Sequence, residues 1–132
     1  MATIVLIPGA DGRGWYWHRV VPLLRDLNHL PLPVDLPVAD STADLVGLAT
    51  VVVAAISRAP CEPGGAILIV GQSLAGFIAP LVCEQIRTDL LVLLNPMVPI
   101  PDESANQWWS GTAHAEARAP YGEFERSEEH TS

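Results

Sequence analysis

The chain has 132 residues, 49% of them hydrophobic, which is enough apolar material for one buried core and gives no sign of a second domain. All seven basic residues are arginine, against 15 acidic ones, and the formal charge of -8 repels phosphate backbones and anionic bilayers, excluding nucleic acid and membrane as expected partners. Cys61 and Cys83 lack CxxC spacing and a nearby histidine, so reduced structural thiols are expected, with no metal site and no cofactor.

Thr3 to Ile7 is a continuous apolar, β-branched run stopped by Pro8-Gly9, the pattern of a central strand buried on both faces of a parallel sheet. No basic leader precedes it, and the run is too short for a signal sequence or a membrane span, so a soluble cytoplasmic protein is expected. A glycine-rich loop, Pro8 to Gly14, leads to Trp17, Val20, Val21, Leu24 and Leu27 at helical spacing. His29 to Val34 is a weaker strand, because Pro31 and Pro33 remove ladder donors, and Asp35-Leu36-Pro37 closes it.

Ser41 or Thr42 is expected to cap a helix whose stripe is Leu45, Leu48, Ala49, Val52, Val53 and Ile56, ending before Pro60 and the Pro63-Gly64-Gly65 turn. Ala66 to Val70 is the next buried strand, and a helix from about Leu74 to Arg87 follows a serine turn. Pro80 inside that helix must bend it or mark its first turn as separate. Asp89 to Leu94 is a last apolar strand, stopped by Asn95-Pro96. Strand and helix alternate throughout, which predicts an α/β protein with an open parallel sheet, helices on both faces and right-handed crossovers. The sheet would end after about four strands, on an unpaired apolar edge.

Beyond Pro101 the chain turns polar and shows no further strand. Residues 126–132 match the translation of a common sequencing-library adapter, so a non-native tail is expected there and His130 is discounted as a catalytic base. On this view residues 1–125 are a partial domain, with a core over 3–100 and the start of a cap segment over 101–125.

The chemistry concentrates in two loops. A nucleophilic serine needs its hydroxyl projected from a strained strand-to-helix turn with small neighbours, and Gly71-Gln72-Ser73-Leu74-Ala75-Gly76 supplies this, with Ala75 where the usual pattern has glycine. A plain helix cap at Ser73 is the alternative, but a cap does not need glycine on both sides. Oxyanion donors in such a site come from the amide after the nucleophile and from the loop after an early strand, which here are Leu74 and Ala10. A plain glycine-rich βα turn is the alternative for the Ala10 loop.

Ile7-Pro8-Gly9-Ala10, Trp15-Tyr16-Trp17-His18, Val34-Asp35-Leu36-Pro37, Gly71 to Phe77, Pro96-Met97-Val98-Pro99 and Trp108-Trp109 together resemble the small single-domain α/β-fold hydrolases of bacteria. Those are similar to plant esterases and hydroxynitrile lyases. The resemblance covers roughly Thr3 to Trp109 and implies an α/β-hydrolase fold truncated after about four strands. It also implies a Ser-Asp/Glu-His triad in that chain order, with acid and histidine after later strands. Asn95 stands where the family's acid sometimes falls, Asp102 lies several residues too far along, and His18, His29 and His114 come at the wrong points in the order.

Asp11, Trp15, Gln72 and Trp108 are expected to line a substrate pocket, with Trp108 and Trp109 opening the cap segment. Packing of an exposed sheet end explains that tryptophan pair equally well. His18 either lines the mouth of the site or is a solvated helix-start histidine, and His29 is expected to be exposed. Asp35 is expected to stabilise a turn.

The function expected of the full-length parent is that of a serine hydrolase of esterase type, acting on a small carboxylic ester or related acyl substrate. The fragment alone would be inactive. A lyase or other non-hydrolytic enzyme on the same scaffold is the alternative. A dinucleotide-binding domain fits less well, because Ser73 takes the place of the middle glycine of GxGxxG and Asn95 stands where an acid belongs about twenty residues on.

Overall fold

Continuous apolar runs make the strands and punctuating prolines set their limits. The computed structural model describes residues 1–40, 42–112, 116, 117 and 119. His114 and the suspected foreign tail at 126–132 lie outside the described residues. Within them, β1 (Ala2–Ile7), β2 (Leu30–Pro33), β3 (Ala66–Gln72) and β4 (Leu90–Leu94) form one parallel sheet in the order β2-β1-β3-β4. β1 is buried along its whole length between two neighbours, as its unbroken apolar run predicts. β2 lies at an edge, the one setting in which Pro31 and Pro33 leave few ladder partners wanting.

Alternate residues of β1 enter different cores. Val5 and Ile7 pack with Ile69 against Leu48, Ala49, Val52 and Ile56 of α2 (Leu45–Arg58) and Ala79 and Val82 of α3 (Ala79–Gln85). Ile4 and Leu6 face the other way and pack with Ala2 and Trp17, joined by Val21 and Leu24 of α1 (Val21–Asp26). Helices therefore cover both faces of the sheet, as the alternation of elements requires. The cover on the α1 face is thin: Leu23 and Leu27 turn outward, and Leu90, Val92 and Leu94 of β4 are exposed. Among the described residues no helix is long and apolar enough to cross a membrane.

Helix starts depart from expectation in two places. α2 is capped by Asp44, whose Oδ1 accepts the Gly47 amide at 2.7 Å, rather than by Ser41 or Thr42. The helix begins at Leu45, too late for Thr42 to reach its free amides. Thr42 instead donates its hydroxyl to Asp40 Oδ1 at 2.6 Å, and Ser41 lies outside the described residues. The helix after the serine is also divided, into a 3-10 turn at Ser73–Gly76 and then α3, with Pro80 in the first turn of α3 where its missing N–H costs nothing. A 3-10 turn at Gly14–Trp17 likewise precedes α1, with Pro22 in the helix's first turn.

After Pro101 the described chain forms no strand but a short helix, α4 (Ala105–Gly111). Ser104 and Gln107 close a reciprocal capping box at its start.

Candidate active site

Parallel register brings the carboxyl ends of β1 and β3 side by side, since Ile7 pairs with Gly71. The loops that leave those ends therefore meet, which is the usual place for a ligand on a parallel sheet. β3 runs extended through Gln72, and then Ser73 adopts φ 52°, in the left-handed region that costs an L-residue of this kind about 1–3 kcal/mol. The chain continues as the 3-10 turn, with Phe77 N–H donating to the Leu74 carbonyl and Ile78 N–H to that of Ala75.

Small residues make the bend possible, each for a local reason. A Cβ on Gly71 would lie 3.1 Å from Ala75 Cβ and 3.2 Å from Ala79 Cβ, so glycine at 71 is what lets Ala75 replace a glycine. A Cβ on Gly76 would collide with the backbone carbonyl of Met97. The segment leaving β4 presses there against the serine turn, and Met97 N–H donates to the Ser73 carbonyl at 3.0 Å. Met97 is almost fully buried, and its contact with the serine turn is not expected from the sequence, where it counts only as part of the Pro96–Pro99 segment of the resemblance. The trace of that contact in the sequence is the glycine at 76, a place in which the general pattern tolerates other small residues.

Gly9, after β1, faces this turn. A Cβ built on it would stand 3.3 Å from Ser73 Cβ and 2.5 Å from Gln72 Oε1. Gly12 N–H donates back to the Gly9 carbonyl at 3.1 Å, closing a turn that contains Ala10 and Asp11. The far side of the loop is tied to the exit of β2. Leu36 N–H donates to the Gly12 carbonyl at 2.7 Å, and Asp35 Oδ1 accepts the Gly14 N–H at 2.8 Å. Asp35 thus stabilises a turn, but the one at Gly14–Trp17 rather than its own.

Gly9, Gln72 and Ser73 are in contact around one point, and both Gln72 and Ser73 are half-buried. Leu74 is half-buried and packs against the main core, Ala10 is exposed, and Asp11 is half-buried. Trp15 is exposed and stacks on His18 with ring centroids 3.7 Å apart. His18 is exposed too, and its Nδ1 lies 3.0 Å from the Trp15 carbonyl, so that nitrogen carries the proton and donates. Trp108 packs on the main core, donates Nε1–H to the Val98 carbonyl at 3.2 Å and meets Trp109 edge-on.

The expectation of an exposed His29 is overturned. The ring is half-buried, and Nδ1 accepts the Ala2 N–H at 3.0 Å. That position is at the start of β1, the opposite end of the sheet from Ser73. Asn95 follows β4 with φ 44°, a conformation asparagine adopts more readily than most residues. Among the described residues, the carboxyl groups with shifted acidity, Asp40 and Asp89, lie outside the serine turn and the Gly9 loop. Thr42 holds Asp40 low through its hydroxyl and its amide. Asp89 is held low first by the Ile67 amide and then, against the opposing effect of desolvation, by Arg87.

A serine on a strained turn at the carboxyl edge of a parallel sheet, packed against a glycine-rich loop from the neighbouring strand, is an arrangement that α/β hydrolases share. The chain belongs to the alpha/beta hydrolase family, whose model matches residues 4–130. A search of curated protein sequences finds no match.

Solved structures share the fold. Polyneuridine aldehyde esterase matches with a TM-score of 0.70 at 21% identity over 87% of this chain and 48% of its own. An extracellular alpha/beta-hydrolase from a Paenibacillus species, described as sharing structural and functional homology with tobacco salicylic acid binding protein 2, matches with a TM-score of 0.65. Its identity is 18%, over 90% of this chain and 53% of its own. The pyrethroid hydrolase of Sphingobium faniae JZ-2 matches with a TM-score of 0.64 at 24% identity, over 79% of this chain and 44% of its own. The chain spans about half the length of these structures.

Proposed function

We propose that the whole protein to which these residues belong is a serine hydrolase of esterase type, acting on a small carboxylic ester or related acyl compound without a cofactor. Ser73 is its nucleophile. The observation that carries this reading is the left-handed φ of Ser73 at the exit of β3, directly against Gly9 of the neighbouring loop. Names among the similar structures, an esterase and a pyrethroid hydrolase, support the same class.

In this mechanism Ser73 Oγ attacks the acyl carbonyl and gives its proton to a histidine. The N–H groups of Ala10 and Leu74 donate to the tetrahedral oxyanion. Collapse expels the alcohol, which takes the proton back from the histidine, and water then releases the acid by the same steps. Asp11, Trp15, Gln72 and Trp108 would line the acyl or alcohol side of the pocket. Residues 1–125 then supply the nucleophile half of the domain, and the triad acid and histidine belong to the rest of the whole protein.

A fluorophosphonate probe tests this. The whole protein should be labelled on Ser73 and Ser73→Ala should not, whereas equal labelling of both sinks the assignment. A non-hydrolytic reaction on the same scaffold is the second reading, favoured by the likeness to tomato methylketone synthase I, solved with beta-ketoheptanoate. That structure matches with a TM-score of 0.67 at 20% identity, over 94% of this chain and 49% of its own. Labelling without turnover of a panel of simple esters would favour this second reading.

A further inference from the structure

Three atoms of the serine turn converge on one side of Gly9. A Cβ there would stand 2.5 Å from Gln72 Oε1, 3.3 Å from Ser73 Cβ and 3.4 Å from the Gln72 carbonyl oxygen. The last two are fixed by the bend itself. The first is the tip of a flexible side chain and need not be there for the bend to form. Gln72 closes β3 beside the end of β1, so its side chain reaches across to the first residues after that strand. Its carboxamide oxygen fills the volume in which a side chain at position 9 would sit.

Ala10 is the next residue, and a single rotation, the ψ of Gly9, separates the packed Cα from the plane that carries the Ala10 N–H. A body resting on Gly9 Cα therefore limits where that N–H can aim. We propose that Gln72 is a positioning residue for the oxyanion, its carboxamide setting the orientation of the Gly9–Ala10 peptide over Ser73. The inference rests on the hydrolase reading and deepens it. Gln72 touches no reacting atom in this scheme: apart from lining the pocket, it acts on the reaction through the Ala10 amide. Deleting an oxyanion donor costs about 10²–10³ in kcat, so loosening one should cost less, about tenfold.

The test is a cycle on the whole protein with p-nitrophenyl acetate as substrate, using Gln72→Ala, Gly9→Ala and the double variant. Gln72→Ala should lower kcat about tenfold with KM changed by less than about twofold and the melting temperature held, because only a transition-state interaction is weakened. Gly9→Ala should lower both kcat and melting temperature, as its methyl meets the carboxamide. The double variant should regain about fivefold in kcat over Gly9→Ala, since the new methyl enters the vacated space.

Nitrogen-15 relaxation gives a readout independent of turnover. The Ala10 amide should become more mobile in Gln72→Ala while Val5, in β1, stays rigid. Strictly additive losses, or an Ala10 amide unchanged by Gln72→Ala, would overturn the proposal. If Ser73→Ala keeps wild-type esterase activity the hydrolase reading fails, and the relaxation measurement still decides whether Gln72 holds the loop.

Discussion

The Ser73 carbonyl accepts the Met97 N–H at 3.0 Å, tying the strained residue of the turn to the segment that leaves the next strand. The left-handed Ser73 is thus held from outside its own turn, by the exit of β4, whose backbone packs so closely that only glycine fits at 76. Strain in a functional loop persists only where its surroundings over-determine it, and this contact is one such surrounding.

Gly76→Ala should therefore disturb more than a surface glycine would. Its methyl meets backbone of Met97, which cannot swing aside as a side chain could. The expected cost is about 1–3 kcal/mol, the range for overpacking a close contact. Urea unfolding should show a lowered midpoint with an unchanged slope. A midpoint within error of the wild type would mean that the β4 exit does not bear on the turn.

Ser73→Gly acts in the opposite direction. Glycine adopts φ near 52° without the side-chain penalty, so the variant should gain about 1 kcal/mol of stability while losing the hydroxyl proposed as nucleophile. Ser73→Ala keeps the penalty and should gain nothing. A thermal-melt series of the three proteins checks this, and a Ser73→Gly less stable than the wild type would mean that the bend carries no strain.

These backbone relationships mark the limit of what the residues disclosed. The central place of β1 was legible because a run such as Thr3 to Ile7 fits few other settings, whereas β2 was legible only as a weaker strand, its prolines removing ladder donors, and its edge place came from the structure. The serine turn was legible from its glycines and its position between strand and helix. Asp44 was not, because Ser41 and Thr42 offered earlier caps, and only the turn made by Asp40 and Thr42 delays the helix to Leu45. His29 and Met97 were missed for a common reason: each meets a partner more than twenty residues away, Ala2 or Ser73, and periodicity and local pattern carry no information about such pairs.

The base of the sheet carries a pH-dependent brace. Asp89 Oδ2 accepts the Ile67 N–H at 2.8 Å. Arg87 donates to Asp89 Oδ1 at 2.7 Å and to the Gly65 carbonyl at 2.9 Å, fastening the start of β4 to β3. These contacts favour the carboxylate and lower the Asp89 pKa in the folded protein, the Ile67 amide contributing most. A depressed folded pKa means that the stabilisation is whole above the ordinary carboxylate pKa of about 4 and is lost as the pH falls through the folded value. Asp89→Asn should lower the melting temperature at pH 7 and show a shallower fall below about pH 4 than the wild type. Parallel acid limbs for the two proteins would remove Asp89 from the linkage.

Among the described residues β4 is an edge strand, and its exposed apolar face should favour association of this chain. Leu68 pairs with Leu90 and Val70 with Val92, so Leu90, Val92 and Leu94 continue the sheet face that α1 covers near β1, yet they stand 53%, 37% and 42% exposed. A flat apolar edge strand offers both unpaired backbone groups and a greasy face to another copy. Leu90→Lys with Val92→Lys should raise the concentration at which light scattering sets in by severalfold, since inward or edge lysines oppose strand addition. The melting temperature should change little, because exposed substitutions cost roughly 0.5 kcal/mol or less. The control is Leu23→Lys with Leu27→Lys on the outward side of α1, where the residues are as exposed but no backbone is left to pair. If that control suppresses scattering as strongly as the β4 pair, greasy area alone drives association, and the strand edge has no special part in it.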